Sequence, residues 1–347
     1  MLNRTAILIG KSFVSRTVFD FMLTIRPYLN EDPPRLLSLW KKSQQQRTRT
    51  RLIPLSINTL QMQTLGIPFW DRRSILLAFE NQEPVGYIHT TLAPNVDGFN
   101  LNRRSAHICF LCVEPSYHDL WGAARGLLRA AEHYLAEQGV EEIYGGSPRP
   151  SAPFYIGFYG GSEPIAFFDS DQYLIQVFLE SGYQIFKNTA RFYLNLSDYI
   201  PPMTSAMVQW HSRLDVEFNE NPKPKTWWEA CAYANFEWIE AISYLSNTHR
   251  PVARIRVRVA NPDTDESQIL YGGTWDAGLM DVRVHPDFYR QGVAAYTLAE
   301  MLRYLVGKNQ IKQIEAHIDE DYVSMYPLLR SLLWNQIDTG KIFRKEI

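Results

Sequence analysis

The spacing of apolar residues changes between helical and strand-like periods in the same order twice along the chain. Each half begins with a stretch of helical period, continues through three strand-like apolar runs, and returns to helical period. The predicted strands are 75–79, 85–91, 107–113 and 140–144 in the first half, and 252–259, 268–275, 280–284 and 311–317 in the second. The order in each half is helix, three strands, helix, strand, helix, strand. This order predicts an α+β fold in which each unit has a mixed, mainly antiparallel sheet flanked by helices.

Two of the predicted helices have start signals. The stretch 33–43 follows Asp32, a residue type favoured at helix N-caps. The stretch 227–245 follows Thr226, and Glu229 comes three residues after that threonine, which is the spacing of a capping box. We therefore predict that each half opens with a helix.

Three short motifs recur in the same order at an offset of about 170 residues, which indicates two copies of one unit. The matched pairs are Pro84-Val85 with Pro251-Val252, Val113-Glu114-Pro115 with Val284-His285-Pro286, and Gly122-Ala123-Ala124 with Gly292-Val293-Ala294. The length of 347 residues also exceeds what one core usually organises. We predict an N-terminal extension over residues 1–20 and two tandem domains over 21–198 and 199–347.

Charge and cysteine content narrow the functional classes. The chain has 35 Lys and Arg against 37 Asp and Glu, so no basic excess attracts a nucleic-acid backbone. No apolar run reaches the roughly 18 residues of a membrane-spanning helix, so neither nucleic acid nor membrane is an expected partner. The chain has three cysteines, a small and odd number that argues against a disulfide framework. Such sparse cysteine content favours the cytoplasm as the location of the protein. Cys109 and Cys112 have a CxxC spacing, but on a strand their side chains face opposite sides, which favours core packing.

The halves differ mainly in the segment 145–170, which is rich in proline, glycine and aromatic residues. The second half passes from its strand to the next helix without such an insertion. Long ordered insertions often line binding sites. The segment is therefore either a binding element or a packing loop.

The segment that follows Val284 has the features of an anion-binding loop. Pro286 forces the chain to turn, and Gly292 and Ala294 leave the start of the next helix free of bulky side chains. Backbone N–H groups at that helix start can approach an anion, assisted by the helix dipole and by Arg290. The lysine of a Walker loop and the three glycines of a dinucleotide fingerprint are both missing.

This segment resembles the pyrophosphate loop of the GNAT acetyltransferase superfamily, which follows a Val-x-Pro strand end with Arg or Gln, x, x, Gly, x, Gly or Ala. Residues 289–294 match in the glycine and the small last residue, with tyrosine in the first place. The resemblance extends over 205–347 in element order and implies tandem GNAT-like domains, acetyl-CoA or another acyl-CoA as donor, and no metal. The implied cofactor-binding residues are Val282 and Val284 for pantetheine, and Tyr289, Arg290, Gln291, Gly292, Val293, Ala294 and Ala295 for pyrophosphate.

The first half resembles the same family more weakly. Residues 119–124 have the loop spacing, but Asp119 stands in the first place and would repel a pyrophosphate. One extra residue also separates Pro115 from the loop. We therefore predict that the first domain is degenerate and that the second contains the acyl-CoA site.

The resemblance further implies a tyrosine that protonates the departing CoA thiolate. Tyr326 in the predicted helix 321–333 has that place, and the aligned residue of the first half is Phe178, which has no proton to give. An acceptor amine must also lose a proton. Asp281 and Glu229 are the candidate bases, and each is equally a candidate for a salt bridge.

Three other residues are weaker candidates. Glu237 is a further possible base, and His285 and His317 lie where they could contact a substrate or be ordinary structural histidines. None of the three belongs to a motif that specifies a role.

Together these features predict an N-acetyltransferase that moves an acetyl group from acetyl-CoA to a small-molecule or peptide amine. A non-catalytic acyl-CoA sensor or scaffold is the alternative, because both loops depart from the family pattern at their first residue. A transferase with an RNA-borne donor is a third class, which the absence of a basic stripe disfavours.

Overall fold

Two units of similar element order follow one another along the chain. A computed structural model describes residues 23–44, 55–67, 69–155, 166–233, 237–260, 275–308 and 311–347. The elements of the N-terminal unit are β1 (Thr24–Pro27), α1 (Pro33–Gln44), α2 (Ile57–Leu60), β2 (Ile75–Glu80), β3 (Glu83–Pro94), β4 (Leu101–Val113), α3 (Leu120–Glu137), β5 (Glu142–Gly145), β6 (Phe167–Phe168), α4 (Gln172–Glu180) and β7 (Gln184–Asn195). Those of the C-terminal unit are α5 (Ser205–His211), β8 (Leu214–Glu220), α6 (Trp227–Tyr233), β9 (Glu237–Leu245), β10 (Pro251–Ala260), β11 (Trp275–Val284), α7 (Val293–Gly307), β12 (Ile311–Asp319), α8 (Met325–Ser331) and β13 (Asn335–Glu346).

The described strands join into one sheet that runs through both units. Its order is β1-β2-β3-β4-β5-β13-β7-β12-β11-β10-β9-β8, with β6 beside β13. Within this part of the chain, β4 with β5 and β11 with β12 are parallel pairs, and the other pairs are antiparallel. The helices α1 and α3 both contact β3 and β4, with separate apolar clusters on the two faces of the sheet. The predicted mixed, mainly antiparallel sheet flanked by helices is confirmed.

Most elements with strong local patterns lie where the sequence predicts them. The strands β2, β3 and β4 cover the predicted runs of the first half, and α1 covers the predicted opening helix. Cys109 and Cys112 are both buried, as expected, but they belong to one apolar cluster and so lie on the same face, because a register shift at residues 108–110 breaks the alternation of β4. The extension 1–20 and nearly all of the predicted strand 268–275 lie outside the described residues. No helix in the described ranges is long and apolar enough to cross a membrane.

One predicted helix is wrong beyond its first two turns. The predicted start is present in part: Glu229 N donates to Thr226 Oγ1 at 3.1 Å, but the Glu229 carboxylate accepts from Lys225 N and not from Thr226 N. The helix α6 ends at Tyr233, and residues 237–245 form β9. β9 pairs with β8 on one side and with β10 on the other. Its position between two strands decides its conformation, because tertiary pairing overrides a weak helical propensity.

The two units exchange their last strands. β13 of the C-terminal unit pairs with β5 and β7, and β7 of the N-terminal unit pairs with β12. Phe343 on β13 lies in the apolar cluster of the N-terminal unit and stacks on Phe178, with 4.9 Å between ring centroids. Ala190, Phe192 and Leu194 on β7 lie in the cluster of the C-terminal unit. Each core is therefore completed by the final strand of the other unit.

A buried ion pair also joins the units. The Arg191 guanidinium on β7 binds Glu315 on β12 through two hydrogen bonds, with 2.9 Å between Nε and Oε2. The two side chains are 2% and 7% exposed. A paired, hydrogen-bonded geometry of this kind is what allows two charges to be buried.

Phe343→Ala should destabilise the N-terminal unit, although residue 343 lies at the end of the C-terminal unit. Removal of a buried phenyl ring from a packed core lowers the free energy of unfolding by about 3–5 kcal/mol. Denaturant unfolding measures the loss, and hydrogen exchange should locate it in α3 and α4. Ile347→Ala is the matched control, because that side chain is 44% exposed. Faster exchange confined to the C-terminal unit would contradict the exchange of strands.

Candidate functional site

β11 and β12 separate before either strand ends and leave an opening between them. Their parallel register ends where Leu279 pairs with Ala316, although the strands continue to Val284 and Asp319. A cavity of about 210 Å³ lies in the opening. We call it the β11–β12 cleft, and its lining consists of residues 279–283, His317, Ile318, Tyr322, Met325, and Arg149 of the N-terminal unit.

The edge of β11 along this cleft can bind an extended ligand. Past Leu279, that edge has no strand partner in the described part of the chain, so its backbone N–H and C=O groups are open to hydrogen bonding. Val282, predicted to lie beside pantetheine, lines the cleft. Val284 lies beyond it at the end of β11, where it pairs with Ala253 of β10.

The loop between β11 and α7 has the backbone of an anion-binding turn. Arg290 and Gly292 have φ angles of 59° and 86°, in the left-handed region that glycine adopts without strain. No side chain caps the start of α7, so its first N–H groups and the positive end of its dipole remain for an anion. Tyr289 and Arg290 are exposed, and Ala294 and Ala295 are half-buried. The predicted loop residues are thus together at one helix start.

A helix that the sequence did not predict supports this loop. On α5, Trp210 Nε1 and Gln209 Nε2 donate to the backbone carbonyl of Gln291, at 2.6 and 3.2 Å. A Cβ at position 292 would lie 2.9 Å from the Cβ of Ala206, also on α5. The close approach of α5 therefore requires Gly292, independently of any ligand.

The corresponding loop of the N-terminal unit is closed by its own acidic residue. Asp119 Oδ1 accepts a hydrogen bond from Gly122 N at 2.9 Å at the start of α3. The carboxylate thus takes the place that a phosphate oxygen would occupy at an open helix start. Asp119 would thus do more than repel a pyrophosphate, as predicted, because its own carboxylate already occupies the anion position.

The described part of the insertion 145–170 packs beside β4. Ser147 Oγ lies 3.2 Å from His107 Nδ1, at the point where the register of β4 with β5 ends. The Tyr155 ring is fully buried and stacks on Phe110, with centroids 5.3 Å apart. Residues 147–155 are therefore mainly a packing loop, and residues 156–165 lie outside the described part.

Tyr326 does not correspond to Phe178. The helices α4 and α8 end with the same hydrogen bond, from Tyr183 N to Phe178 O and from Trp334 N to Leu329 O, both at 3.1 Å. Leu329 is therefore the counterpart of Phe178, and Tyr326 lies one turn earlier. The predicted alignment is therefore wrong by three residues. Gly182, four residues after Phe178, has Leu333 as its counterpart, and this leucine adopts the same left-handed conformation, with a φ angle of 64°.

Tyr326 is not part of the cleft lining, whereas another tyrosine is. The Tyr326 ring meets Phe192 edge-on, with centroids 5.3 Å apart. Burial raises the pKa of the Tyr326 phenol, and the nearby carboxylates of Asp319 and Glu320 raise it further. The tyrosine in the lining is Tyr322, which no sequence motif marks.

The two candidate bases lie at opposite ends of a chain of ion pairs across β9, β10 and β11. Asp281 binds Arg254 at 2.7 Å, and Arg254 lies 3.7 Å from Glu240. Glu240 binds Arg256 at 2.7 Å, and Arg256 binds Glu229 at 3.0 Å. We call this series the ionic chain. Asp281 lines the cleft, whereas Glu229 lies away from it on α6.

The weaker candidates also lie in different places. His317 lines the cleft, is buried, and meets Phe168 edge-on with centroids 5.2 Å apart. His285 lies past the end of β11, where Arg250 Nη2 is 3.0 Å from its Nε2. Glu237 is exposed at the start of β9. Only His317 of these three belongs to the cleft.

Asp319 is a buried carboxyl at the end of β12. It is 1% exposed, and its Oδ1 accepts a hydrogen bond from Asp321 N at 3.0 Å. Burial raises the pKa of Asp319, and the positive charges of Lys187 and Arg149 oppose that rise without cancelling it. Across the described ranges, no three His, Cys, Asp or Glu side chains come together as metal ligands.

Part of the chain matches a known protein family. Residues 44–158 match the family model described as the acetyltransferase (GNAT) family. This match lies in the N-terminal unit, although the loop motif resembles the family more strongly in the C-terminal unit. No curated protein matches the chain.

Solved structures share the fold over both units. The tandem GNAT protein from the clavulanic acid biosynthesis pathway is 13% identical with a TM-score of 0.60, over 94% of this chain and 98% of that one. A GCN5-related N-acetyltransferase from Sphaerobacter thermophilus is 12% identical with a TM-score of 0.61, over 93% and 95%. A glucosamine N-acetyltransferase region of a fungal multi-domain β-N-acetylglucosaminidase is 15% identical with a TM-score of 0.63, over 94% of this chain and 38% of that one. The chain therefore has the predicted tandem GNAT fold, and the family match supports an acyltransferase.

Asp319→Asn should raise the free energy of unfolding at neutral pH. A carboxyl whose pKa is raised by folding is neutral in both states at low pH and contributes nothing there. As pH rises past its unfolded value of about 3.9, the unfolded state ionises more easily, and the folded state loses stability. The gain from the amide should therefore be present at pH 7 and disappear near pH 3, as measured by urea unfolding at both values. An equal gain at both pH values would contradict this account of Asp319.

Proposed function

We propose that the C-terminal unit is an N-acetyltransferase that moves an acetyl group from acetyl-CoA to an amine. The observation that carries the proposal is the contrast between the two units. The C-terminal unit combines an uncapped helix start with an open cleft between parallel strands. The N-terminal unit has Asp119 at the same helix start. One acyl-CoA site per chain follows from this contrast.

The donor would lie across the loop and the cleft. The N–H groups of residues 290–295 and the exposed Arg290 would hold the pyrophosphate, as anions are held at helix starts. Pantetheine would extend along the free edge of β11 near Val282 and bring the thioester into the cleft. The resemblance of the loop to the GNAT pattern, and the N-acetyltransferase names of similar structures, support acetyl-CoA as the donor.

The transfer needs two proton movements. The amine nitrogen attacks the thioester carbonyl carbon, the C–N bond forms as the C–S bond breaks, the nitrogen loses a proton, and the sulfur gains one. The candidate proton donors to the sulfur are Tyr322, which lines the cleft, and Tyr326, which packs against Phe192 outside the lining. Asp281 is the candidate acceptor that lines the cleft, directly or through water, although two guanidinium groups already bind it.

A non-catalytic acyl-CoA sensor is the second candidate. Leu329 stands at the helix position that the resemblance assigns to the acidic tyrosine, and leucine has no proton to give. A sensor would bind acetyl-CoA at the same loop without turning it over. The three free cysteines fit a reducing compartment, so we place either activity in the cytoplasm.

Isothermal titration should show one acetyl-CoA bound per chain. Arg290→Glu should weaken binding about tenfold or more, because it replaces an attractive charge at the loop by a repulsive one. The matched control is Arg129→Glu, an equal charge change on an exposed position of α3, which should leave the affinity unchanged. Glycine 292 is unsuitable for this test, since its substitution would also displace α5. Equal weakening by both variants, or two sites per chain, would contradict the assignment.

The two tyrosines separate the enzyme from the sensor. With a panel of amines and detection of released CoA thiol, Tyr322→Phe should lower kcat about 10- to 100-fold while the affinity for acetyl-CoA is retained, as expected for loss of a general acid. Tyr326→Phe should have a smaller effect, because that ring packs against Phe192 outside the lining. A larger loss for Tyr326→Phe would reverse the two roles. Acetyl-CoA binding without turnover of any amine would favour the sensor.

A further inference from the structure

Among the described residues, one side chain of the N-terminal unit lines the cleft of the C-terminal unit. Arg149 comes from the insertion 145–170, and the other lining residues belong to β11, β12 and the segment after β12. The Arg149 guanidinium carbon lies over the Tyr322 ring, 4.7 Å from its centroid. An aromatic face attracts a cation without neutralising its charge. Stacking therefore holds Arg149 at the cleft and leaves its N–H groups for another partner.

The acidic groups around the cleft are already engaged by other cations. Asp281 binds Arg254 at 2.7 Å and Arg283 at 2.9 Å. Asp321, in the turn after β12, binds Lys187. These pairs leave no carboxylate of the lining for Arg149.

Arg149 itself forms no ion pair with any acidic side chain of the described ranges. Asp319 is close enough for the two charges to interact, but it is 1% exposed and makes its hydrogen bond to Asp321 N. A positive group is thus held at the cleft without a hydrogen-bonded acidic partner in the described part of the chain. A guanidinium in this state is a good receptor for a planar or tetrahedral anion.

We propose that the acceptor carries an acidic group, a carboxylate or a phosphate, beside its amine, and that Arg149 binds this group. The inference rests on the proposed function, because it takes the cleft as the place where the amine meets the thioester. It gives the N-terminal unit a role in selecting the acceptor for a site that the C-terminal unit contains. Arg149 is then a specificity residue that binds substrate remote from the reacting atoms.

Matched pairs of amines test this proposal. The probes are serine with ethanolamine, phenylalanine with phenethylamine, and glucosamine 6-phosphate with glucosamine, so that each acidic amine has a counterpart without the acid. The measured quantities are the ratio of kcat/KM within each pair and, by titration in the presence of CoA, which cannot transfer an acetyl group, the ratio of dissociation constants. The wild-type chain should prefer the acidic member of at least one pair, and the favoured pair distinguishes carboxylate from phosphate.

Arg149→Ala should reduce that preference about 10- to 100-fold, as expected for the loss of a charge-assisted hydrogen bond. Arg149→Lys should keep part of it. Tyr322→Phe should keep the preference even where it lowers the rate, because the aromatic ring on which Arg149 stacks remains. Tyr322→Leu removes that ring and should lose the preference. Arg129→Ala, on an exposed position of α3, is the control for loss of one positive charge.

The inference and the proposed function fail in different ways. Absence of acetyl-CoA binding would refute the proposed function, and titration of the same amine pairs without donor would still measure the preference. The inference is overturned if no acidic member is preferred in rate or binding, or if Arg149→Ala and Arg129→Ala reduce the preference equally.

Discussion

The pairing of β7 with β13 is the contact on which the rest of the structure depends. Each strand ends one unit along the chain and is buried in the sheet of the other, so neither core is complete until both units have folded. Phe343 and Phe192 are each buried in the apolar cluster of the other unit, so separation of the units would expose both rings to water. The pairing also fixes the distance between the insertion of the N-terminal unit and the cleft of the C-terminal unit. The contact of Arg149 with Tyr322 is a consequence of this constraint.

The two copies of the fold have diverged at equivalent places. The N-terminal copy has an acidic side chain at its helix start and aromatic residues of the insertion against β4. The C-terminal copy has no side-chain cap at its helix start and has a cavity between its parallel strands. A family match in the N-terminal copy is compatible with this division, since sequence similarity follows the whole fold and ligand binding depends on a few atoms at the loop.

The sequence predicted what local patterns determine. The strands β2 to β4, the repeat and the loop around Gly292 follow from alternation, spacing and turn residues within short windows. The sequence alone predicts helix for β9, because the strand conformation depends on pairing with β8 and β10. It aligns Tyr326 with Phe178, because Leu333 adopts the conformation expected of glycine. The role of Arg149 has no signal in the sequence, because local patterns do not show that the insertion of the N-terminal unit reaches the cleft of the C-terminal unit.

The ionic chain has an evolutionary consequence. Its five side chains alternate in sign from Glu229 to Asp281, and its inner members are nearly buried. Replacement of one inner residue leaves an uncompensated charge in a poorly solvated place, whereas joint replacement of two neighbours restores the balance. Related chains should therefore change these positions in concert, and a homologue with a neutral residue in place of Arg256 should also have lost the charge at position 240.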